Sequence, residues 1–164
     1  MSTLVVQPIR DEDWPSVFRI IDDVVRDGET YAYPSDLTSS SARALWVESP
    51  PGLTVVAERD GDIVGTAKMG PNRPGRGDHI GTASFMVAPE ARGAGVGRLL
   101  GEWVIDWHRR SGFEGIQFNA VVASNEAAVR LWRSLGFDVV GTVPGAFRSR
   151  RHGRVGLHVM FLAL

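Results

Sequence analysis

The sequence contains no cysteine, and none of its apolar runs approaches the length of a membrane-spanning helix. The lack of cysteine excludes disulfide bonds, thiolate metal sites and a covalent cysteine–acyl intermediate. The first residues lack the positive segment and the long apolar segment of a secretory signal, so we expect a cytoplasmic protein with no membrane contact. The sequence pattern predicts no bound metal and no nucleic-acid surface of interleaved basic and aromatic residues.

Two common phosphate-binding motifs are also missing. The Walker motif requires a Gly-Lys pair, and no such pair occurs in the chain. The dinucleotide motif G-x-G-x-x-G fails because the third residue after Gly95 is Arg98. The glycines between residues 93 and 97 therefore need a different interpretation.

Length and composition indicate one globular domain spanning residues 1–164. The chain is 43% hydrophobic and 23% charged, which is typical of a globular protein with a buried core. Its net charge of -1 conceals an asymmetry, because residues 1–60 carry eleven acidic and five basic side chains, while residues 61–164 carry eight and thirteen. The basic part would attract a polyphosphate ligand, although an ordinary mixed-charge surface explains any single arginine equally well.

Hydrophobic spacing predicts alternating strands and helices, with the Asp60-Gly61 pair marking a hairpin. Strands are predicted at residues 3–9, 53–58, 63–69, 79–87, 115–122, 137–143 and 155–162. Helices are predicted at residues 11–26, 42–48 and 125–135, and between the glycine-rich segment and Gly112. In this last helix Leu99, Leu100, Trp103, Val104 and Trp107 share one face, which we expect to be core.

Residues 86–100 are the most informative part of the chain. They read MVAPEARGAGVGRLL, so an apolar strand enters a glycine-rich turn that opens directly into an amphipathic helix. Gly93, Gly95 and Gly97 remove Cβ atoms that would block a ligand, and successive backbone N–H groups can converge on an anion at the helix start. The segment is predicted to bind a phosphate group.

A second segment, residues 119–137, narrows the choice of phosphate ligand. It reads NAVVASNEAAVRLWRSLGF and combines a strand, Asn125, an alanine-rich helix, Trp132 and a final Gly-Phe pair. Together with Arg92-x-x-Gly95-x-Gly97 after Val-Ala-Pro, it resembles the GNAT superfamily of acyl-CoA N-acyltransferases. The resemblance covers nearly the whole chain.

Two branches of that superfamily are the most similar. Residues 141–162 resemble the phosphinothricin acetyltransferase branch, while Phe118-Asn119, residues 124–125 and residues 70–72 are similar to fungal acetyltransferases of proline analogues. Both branches imply a small amino-acid-like amine as acceptor. Dimerisation is common in them, so a homodimer is a partner that the resemblance allows.

The resemblance implies the GNAT fold, an α/β (α+β) domain whose mixed, mostly antiparallel sheet has about six to seven strands and is flanked by about four helices. It implies acetyl-CoA as acyl donor, with the glycine loop holding the pyrophosphate. The preceding strand would hold the pantetheine arm and polarise the thioester carbonyl. The implied cofactor-binding residues are Phe85, Met86, Val87, Arg92, Gly93, Ala94, Gly95, Val96, Gly97, Arg98 and Asn125.

Direct transfer in a ternary complex follows from the chemistry of the thioester. The thioester is already activated, so holding a neutral amine beside a polarised carbonyl is the main requirement. Where many family members carry a tyrosine, this chain has Trp132, whose indole N–H is a poor acid, and we interpret it as a packed wall.

The identity of the general base is left open, because Thr82 and Ser84 occupy the strand positions where family members often place a carboxylate. Their hydroxyls can orient a water molecule but are not bases near neutral pH. The catalytic candidates are Glu29, Asp78, His79 and Ser84, although Glu29, Asp78 and His79 also fit surface or turn positions.

The acceptor site is predicted from the aromatic segment around residues 31–34 and from amides that can hold a carboxylate. Arg76 and Arg148 are alternative carboxylate partners. The predicted substrate residues are Tyr31, Tyr33, Asn72, Thr82 and Asn119.

Two other functions fit the same cofactor half. A non-catalytic acyl-CoA-binding or regulatory module would explain the missing base. An acetyltransferase of protein N-termini or lysines would differ only in its acceptor groove.

Overall fold

A computed structural model describes residues 2–164 as a seven-stranded sheet with four α-helices. The strands are β1 (Leu4–Pro8), β2 (Leu53–Arg59), β3 (Asp62–Pro71), β4 (Ile80–Val87), β5 (Gly115–Val122), β6 (Asp138–Ser149) and β7 (Gly153–Ala163). The helices are α1 (Trp14–Asp27), α2 (Ser39–Trp46), α3 (Val96–Arg110) and α4 (Glu126–Ser134). The strand order is β1-β2-β3-β4-β5-β7-β6, and every neighbouring pair is antiparallel except β4 and β5. The predicted fold class is confirmed.

Each predicted strand and helix is present, but several ends differ from prediction. Helix α2 begins at Ser39 rather than at residue 42, because Thr38 caps it: its Oγ1 accepts the Ser41 N–H at 3.1 Å, and Ser41 Oγ accepts the Thr38 N–H at 2.9 Å. Strand β6 continues to Ser149 rather than ending at residue 143, because its pairing with β7 resumes beyond an irregularity. A short 3-10 turn, Asp11–Asp13, precedes α1.

The helices cover both faces of the sheet. A Cβ on Gly65 of β3 would meet Val96 and Leu100 of α3, whereas the next side chain, Thr66, accepts a hydrogen bond from Trp46 of α2 at 3.0 Å. Successive strand residues point to opposite faces, so α3 and α2 lie on opposite sides. Among residues 2–164, no helix is long and apolar enough to cross a lipid bilayer.

The predicted core face of α3 is confirmed in part, since Leu100 and Val104 are buried and both tryptophans pack against the core. Trp103 and Trp107 are only half-buried, and a histidine that the apolar pattern did not include lies in the core. The fully buried row of this helix, spaced four residues apart, is Val96, Leu100, Val104 and His108.

The only parallel pair of the described sheet is short, and this creates a fork. Strands β4 and β5 pair at Ile80–Gly115 and Gly81–Ile116 and then diverge. The His108 ring packs against Gly81 at the base of the fork, where an added Cβ would clash with the ring. The diverging strands leave an open edge on β4 that no other strand occupies within residues 2–164.

Candidate active site

A cleft of about 790 Å³ opens between the diverging strands. One end is lined by the loop after β4 and the first turn of α3, and the other by the segment after α1 together with β6 and β7. Arg92 and Arg98 are the charged residues of its lining, and both lie at the α3 end. The walls between these ends are mostly apolar and come from β4, β5 and α4.

The glycine loop provides unobstructed backbone at the α3 end. Gly93 and Gly95 have φ values of 75° and 83°, in the left-handed region that favours glycine, and open space lies where their Cβ atoms would be. Gly95 is the N-cap of α3, and within residues 2–164 no side chain caps this helix. The first-turn N–H groups and the positive end of the helix dipole can therefore act on an anion here.

The backbone of β4 alternates between the neighbouring strand and the fork. The Ala88 N–H donates to Val64 and the Ile80 carbonyl accepts from Asn72, so even-numbered peptide groups bond to β3. Successive residues of a strand direct their peptide groups to opposite sides. The N–H and C=O groups of Phe85 and Val87 therefore point into the fork, and those of Met86 point toward β3. Of the three β4 residues predicted to hold the pantetheine arm, Phe85 and Val87 present backbone polar groups to the cleft.

Aromatic side chains form one wall of the cleft. Trp132 of α4 is buried, with its ring centroid 4.6 Å from that of Phe85 and 4.9 Å from that of Phe118. Phe118 in turn stacks on Phe137 at 4.2 Å. Such packing stabilises the rings mutually and gives the cleft a rigid apolar wall. Trp132 therefore has the structural position of a wall residue.

Asn125 lies where α4 begins and lines the cleft. Its Oδ1 accepts the Ala128 N–H at 3.3 Å, so the side chain caps the helix. Because the cap uses the carbonyl oxygen, the amide NH₂ is the group of this side chain that can donate to a ligand.

The predicted substrate residues separate into two groups. Tyr31, Tyr33, Thr82 and Asn119 line the cleft, whereas Asn72 does not. Asn72 Oδ1 instead accepts a hydrogen bond from Asn119 Nδ2 at 2.7 Å, so it orients the cleft residue from behind. The alternative carboxylate partners Arg76 and Arg148 are exposed and lie outside the cleft lining.

The catalytic candidates are not brought together. Asp78 and His79 are exposed in the turn before β4 and do not line the cleft, whereas Ser84 does. Glu29 is buried rather than exposed, and it faces the β6–β7 turn: Ser149 donates to its Oε2 at 2.5 Å and the Arg151 N–H to its Oε1 at 2.9 Å.

These contacts make Glu29 a structural anchor. The Ser149 hydrogen bond is the largest influence lowering the pKa of Glu29, and the Arg151 backbone adds to it, so the carboxylate stays ionised. Two further contacts tie the same turn to the end of α1: Arg150 donates to the Arg26 carbonyl at 2.8 Å, and Arg151 pairs with Asp27 at 3.1 Å. The segment that carries Tyr31 is thereby held at its start.

Several lining residues were missed by the sequence analysis. Phe147 lies in the part of β6 that was predicted to be outside the strand, and Leu157 faces the cleft from β7. Residue spacing carries no signal for either, since both reach the cleft through strand pairing. The further missed lining residues include Thr30, Ala83, Phe118, Val121, Val122 and Leu131.

Comparison with known protein families gives a match over most of the chain. Residues 11–137 match the family model described as the acetyltransferase (GNAT) family. N-acetyltransferase aca1 of Schizosaccharomyces pombe is 37% identical over 90 residues, covering 55% of this chain and 43% of that protein. The phosphinothricin N-acetyltransferase of Alcaligenes faecalis is 32% identical over 142 residues, covering 84% of this chain and 72% of that protein. The chain thus matches less than half the length of the fission yeast relative.

Two solved structures are similar over nearly their full lengths. A GCN5-related N-acetyltransferase from Kribbella flavida has 53% sequence identity and a TM-score of 0.96, with 98% of each chain covered. The Salmonella typhimurium protein yncA, solved with its cofactor acetyl-CoA, has 25% identity and a TM-score of 0.83, covering 99% of this chain and 94% of that one.

Proposed function

Because the chain belongs to the acetyltransferase (GNAT) family, as its motifs predicted, we propose that it transfers an acetyl group from acetyl-CoA to the amine of a small, amino-acid-like acceptor. The transfer is direct, within a ternary complex of enzyme, donor and acceptor. Acetyl-CoA binds from the α3 end of the cleft and the acceptor from the end near Tyr31 and Tyr33.

One observation carries this proposal: the glycine loop and the open edge of β4 face the same cleft. The first-turn N–H groups of α3 and the space at Gly93 and Gly95 fit a pyrophosphate. Further along the same cleft, the Val87 peptide group can pair with the pantetheine amides as a neighbouring strand would. The acetyl-CoA seen in the yncA structure supports this choice of donor.

The chemical step needs little from side chains. The neutral acceptor nitrogen attacks the thioester carbonyl carbon, a C–N bond forms, and the carbonyl π electrons move to the oxygen. As the intermediate collapses, the C–S bond breaks and its electron pair leaves with the sulfur. The nitrogen loses a proton and the CoA thiolate gains one, both through water at the cleft ends. The protein contributes positioning and polarisation of the carbonyl.

The acceptor end favours a compact amine. Tyr33, Phe147 and Leu157 give apolar contact, and Asn119 and Thr82 give neutral hydrogen-bonding groups. A carboxylate on the acceptor can accept from the Asn119 amide, which Asn72 orients. The similarity to a phosphinothricin N-acetyltransferase supports this class of acceptor.

The test is release of free thiol from acetyl-CoA across free amino acids, proline analogues, phosphinothricin, polyamines and short peptides, each with a control lacking acceptor. We expect acceptor-dependent release and an acetylated product, detected by mass spectrometry, with a few amino-acid-like amines. Release with peptides alone would replace the acceptor class by protein N-termini or lysines. Acetyl-CoA binding without release for any amine would contradict the enzyme function and support a binding module.

A further inference from the structure

The hydroxyl of Tyr31 lies in the fork, on the open edge of β4. It accepts the Phe85 N–H at 2.8 Å and donates to the Phe85 carbonyl, also at 2.8 Å. Phe85 is a residue whose peptide groups face the cleft rather than β3. One side-chain oxygen therefore satisfies both polar groups of this residue.

The N–H of Phe85 is also a backbone donor suited to polarising a thioester carbonyl. One N–H directed at a single acceptor makes one good hydrogen bond, so a carbonyl oxygen that binds here must replace the Tyr31 oxygen. The displaced hydroxyl remains adjacent, because the neighbouring rings of Trp46, at 6.2 Å between centroids, and Tyr33, at 5.4 Å, limit how far the Tyr31 ring can move. A hydroxyl hydrogen can rotate toward whichever acceptor lies nearest.

Burial keeps this hydroxyl protonated. Desolvation raises the pKa of Tyr31 well above its usual value, so it is a neutral hydrogen-bond donor throughout the physiological range. A neutral donor in a partly apolar cleft is suited to stabilising negative charge that develops on an oxygen during the reaction.

We infer that Tyr31 is a catalytic residue whose hydroxyl and the Phe85 N–H together bind the thioester carbonyl oxygen. In this structure the hydroxyl accepts the same Phe85 N–H that would donate to that oxygen. When the donor binds, the Tyr31 side chain shifts off the Phe85 N–H, the carbonyl oxygen accepts from that N–H, and the shifted Tyr31 O–H donates to the thioester oxygen. As the amine attacks, both donors stabilise the charge on the oxygen, and neither transfers a proton. This role rests on the proposed acetyl-CoA site.

The position of Tyr31 is supported from outside the cleft. The anchor formed by Glu29 with Ser149 and Arg151 holds the segment two residues before Tyr31. Gly28, with φ of 72°, leaves room for the Arg150 side chain, which an added Cβ would meet at 2.5 Å. The hydroxyl is therefore carried by a fixed segment rather than by a free loop.

The test is isotope-edited infrared spectroscopy of acetyl-CoA labelled with ¹³C at the thioester carbonyl, bound to wild-type protein, Tyr31→Phe and Tyr33→Phe. Hydrogen bonding lowers the carbonyl stretching frequency. We expect a clear downshift in wild type, the same downshift in Tyr33→Phe and a smaller one in Tyr31→Phe. With an acceptor found in the thiol-release assay, Tyr31→Phe should lower kcat about 100-fold, as loss of one oxyanion donor does, with acetyl-CoA affinity within about threefold.

Each other result is decisive. If Tyr31→Phe keeps the wild-type band and kcat, the role of Tyr31 is overturned while acetyl-CoA binding stands. If wild-type protein binds no acetyl-CoA, both this inference and the proposed function are overturned. If Tyr31→Phe loses folding stability and binds CoA and acetyl-CoA equally poorly without changing the band of the bound fraction, its role is structural and the inference is overturned.

Discussion

At the α3 end the cleft is lined by Gly93 and residues 95–98, which are close together in the chain and include the N-cap and first turn of α3. At the other end Tyr31 contacts Phe85, far away in sequence, and the segment before Tyr31 is held by the contact of Glu29 with Ser149. The first end depends on local conformation, and the second on how distant elements are tied together. Substitutions at the two ends should therefore affect different properties of the protein.

The largest effect is expected from Gly95→Asp, which breaks the donor end. The substitution places a carboxylate in the proposed phosphate site, and we expect acetyl-CoA affinity to fall more than about 100-fold, measured by calorimetric titration. The matched control is Gly112→Asp. Gly112 has φ of 82° against 83° for Gly95, and both have open space around them, so the backbone strain is shared. Equal loss of affinity in both variants would show that strain, not charge in the phosphate site, is responsible.

This contrast explains what the sequence could predict. The glycine-rich turn before α3, the cap by Asn125 and most strand positions could be predicted, because glycines, capping residues and the hydrophobic period are local signals. The anchor role of Glu29 could not, because its partners lie about 120 residues away and meet it only after β6 and β7 have paired. The same limit applies to Asn72 behind Asn119, and to Phe147, which was expected beyond the end of its strand.

A second substitution, Glu29→Gln, tests whether the two ends of the cleft act independently. Glu29→Gln removes the charge that holds the β6–β7 turn against the Tyr31 segment, and we expect kcat/KM for the acceptor to fall about tenfold through misplacement of reacting groups. Because Glu29 shares a small pocket with Arg92 and Asn125, acetyl-CoA affinity should also fall, but less than kcat/KM does. Steady-state kinetics and calorimetry measure the two quantities, and Asp106→Asn, an exposed carboxylate paired with Arg110, is the control. A loss of donor affinity as large as the loss of kcat/KM would show that the ends are not independent.

The anchor also predicts a direction of pH dependence. The folded-state pKa of Glu29 is lowered, so its stabilising contribution is present above the unfolded-state pKa and is lost as pH falls through the folded-state value. Thermal unfolding between pH 3 and pH 7 should show a smaller acid-induced fall of Tm in Glu29→Gln than in wild type. Identical falls in the two proteins would contradict the ionised anchor.

Mild acid should lower the folding stability of the protein through His108, at the base of the fork. His108 donates from Nδ1 to the Val104 carbonyl at 2.8 Å, while its buried Nε2 has no hydrogen-bond partner among the described residues. Desolvation lowers the pKa of His108, so the neutral ring is favoured in the fold and stability falls as pH drops below the unfolded-state pKa. One proton corresponds to at most about 1.4 kcal/mol per pH unit.

Urea unfolding at pH 5 and pH 8 measures this dependence. His108→Leu should reduce the difference between the two pH values, whereas His79→Leu, at an exposed turn, should leave it as in wild type. If His108→Leu leaves the difference in stability between pH 5 and pH 8 unchanged, His108 is not the source of the pH dependence.

The smallest effect on catalysis is expected from Trp132→Phe. If Trp132 is a wall and not an acid, the smaller ring keeps the apolar contact, and kcat should change less than about threefold with the same pH profile. Stability should fall by roughly 1–2 kcal/mol, because the substitution leaves a gap beside Phe85 and Phe118. A large loss of kcat with a shifted basic limb of the pH profile would assign proton transfer to the indole position.

The most direct test of the shared cleft is a crystal structure of the protein with acetyl-CoA. We expect the pyrophosphate on the N–H groups of residues 93–98, the pantetheine arm along Val87, and the thioester oxygen within hydrogen-bonding distance of the Phe85 N–H and the Tyr31 hydroxyl. A thioester bound outside the fork, or a pyrophosphate away from the glycine loop, would contradict this expectation.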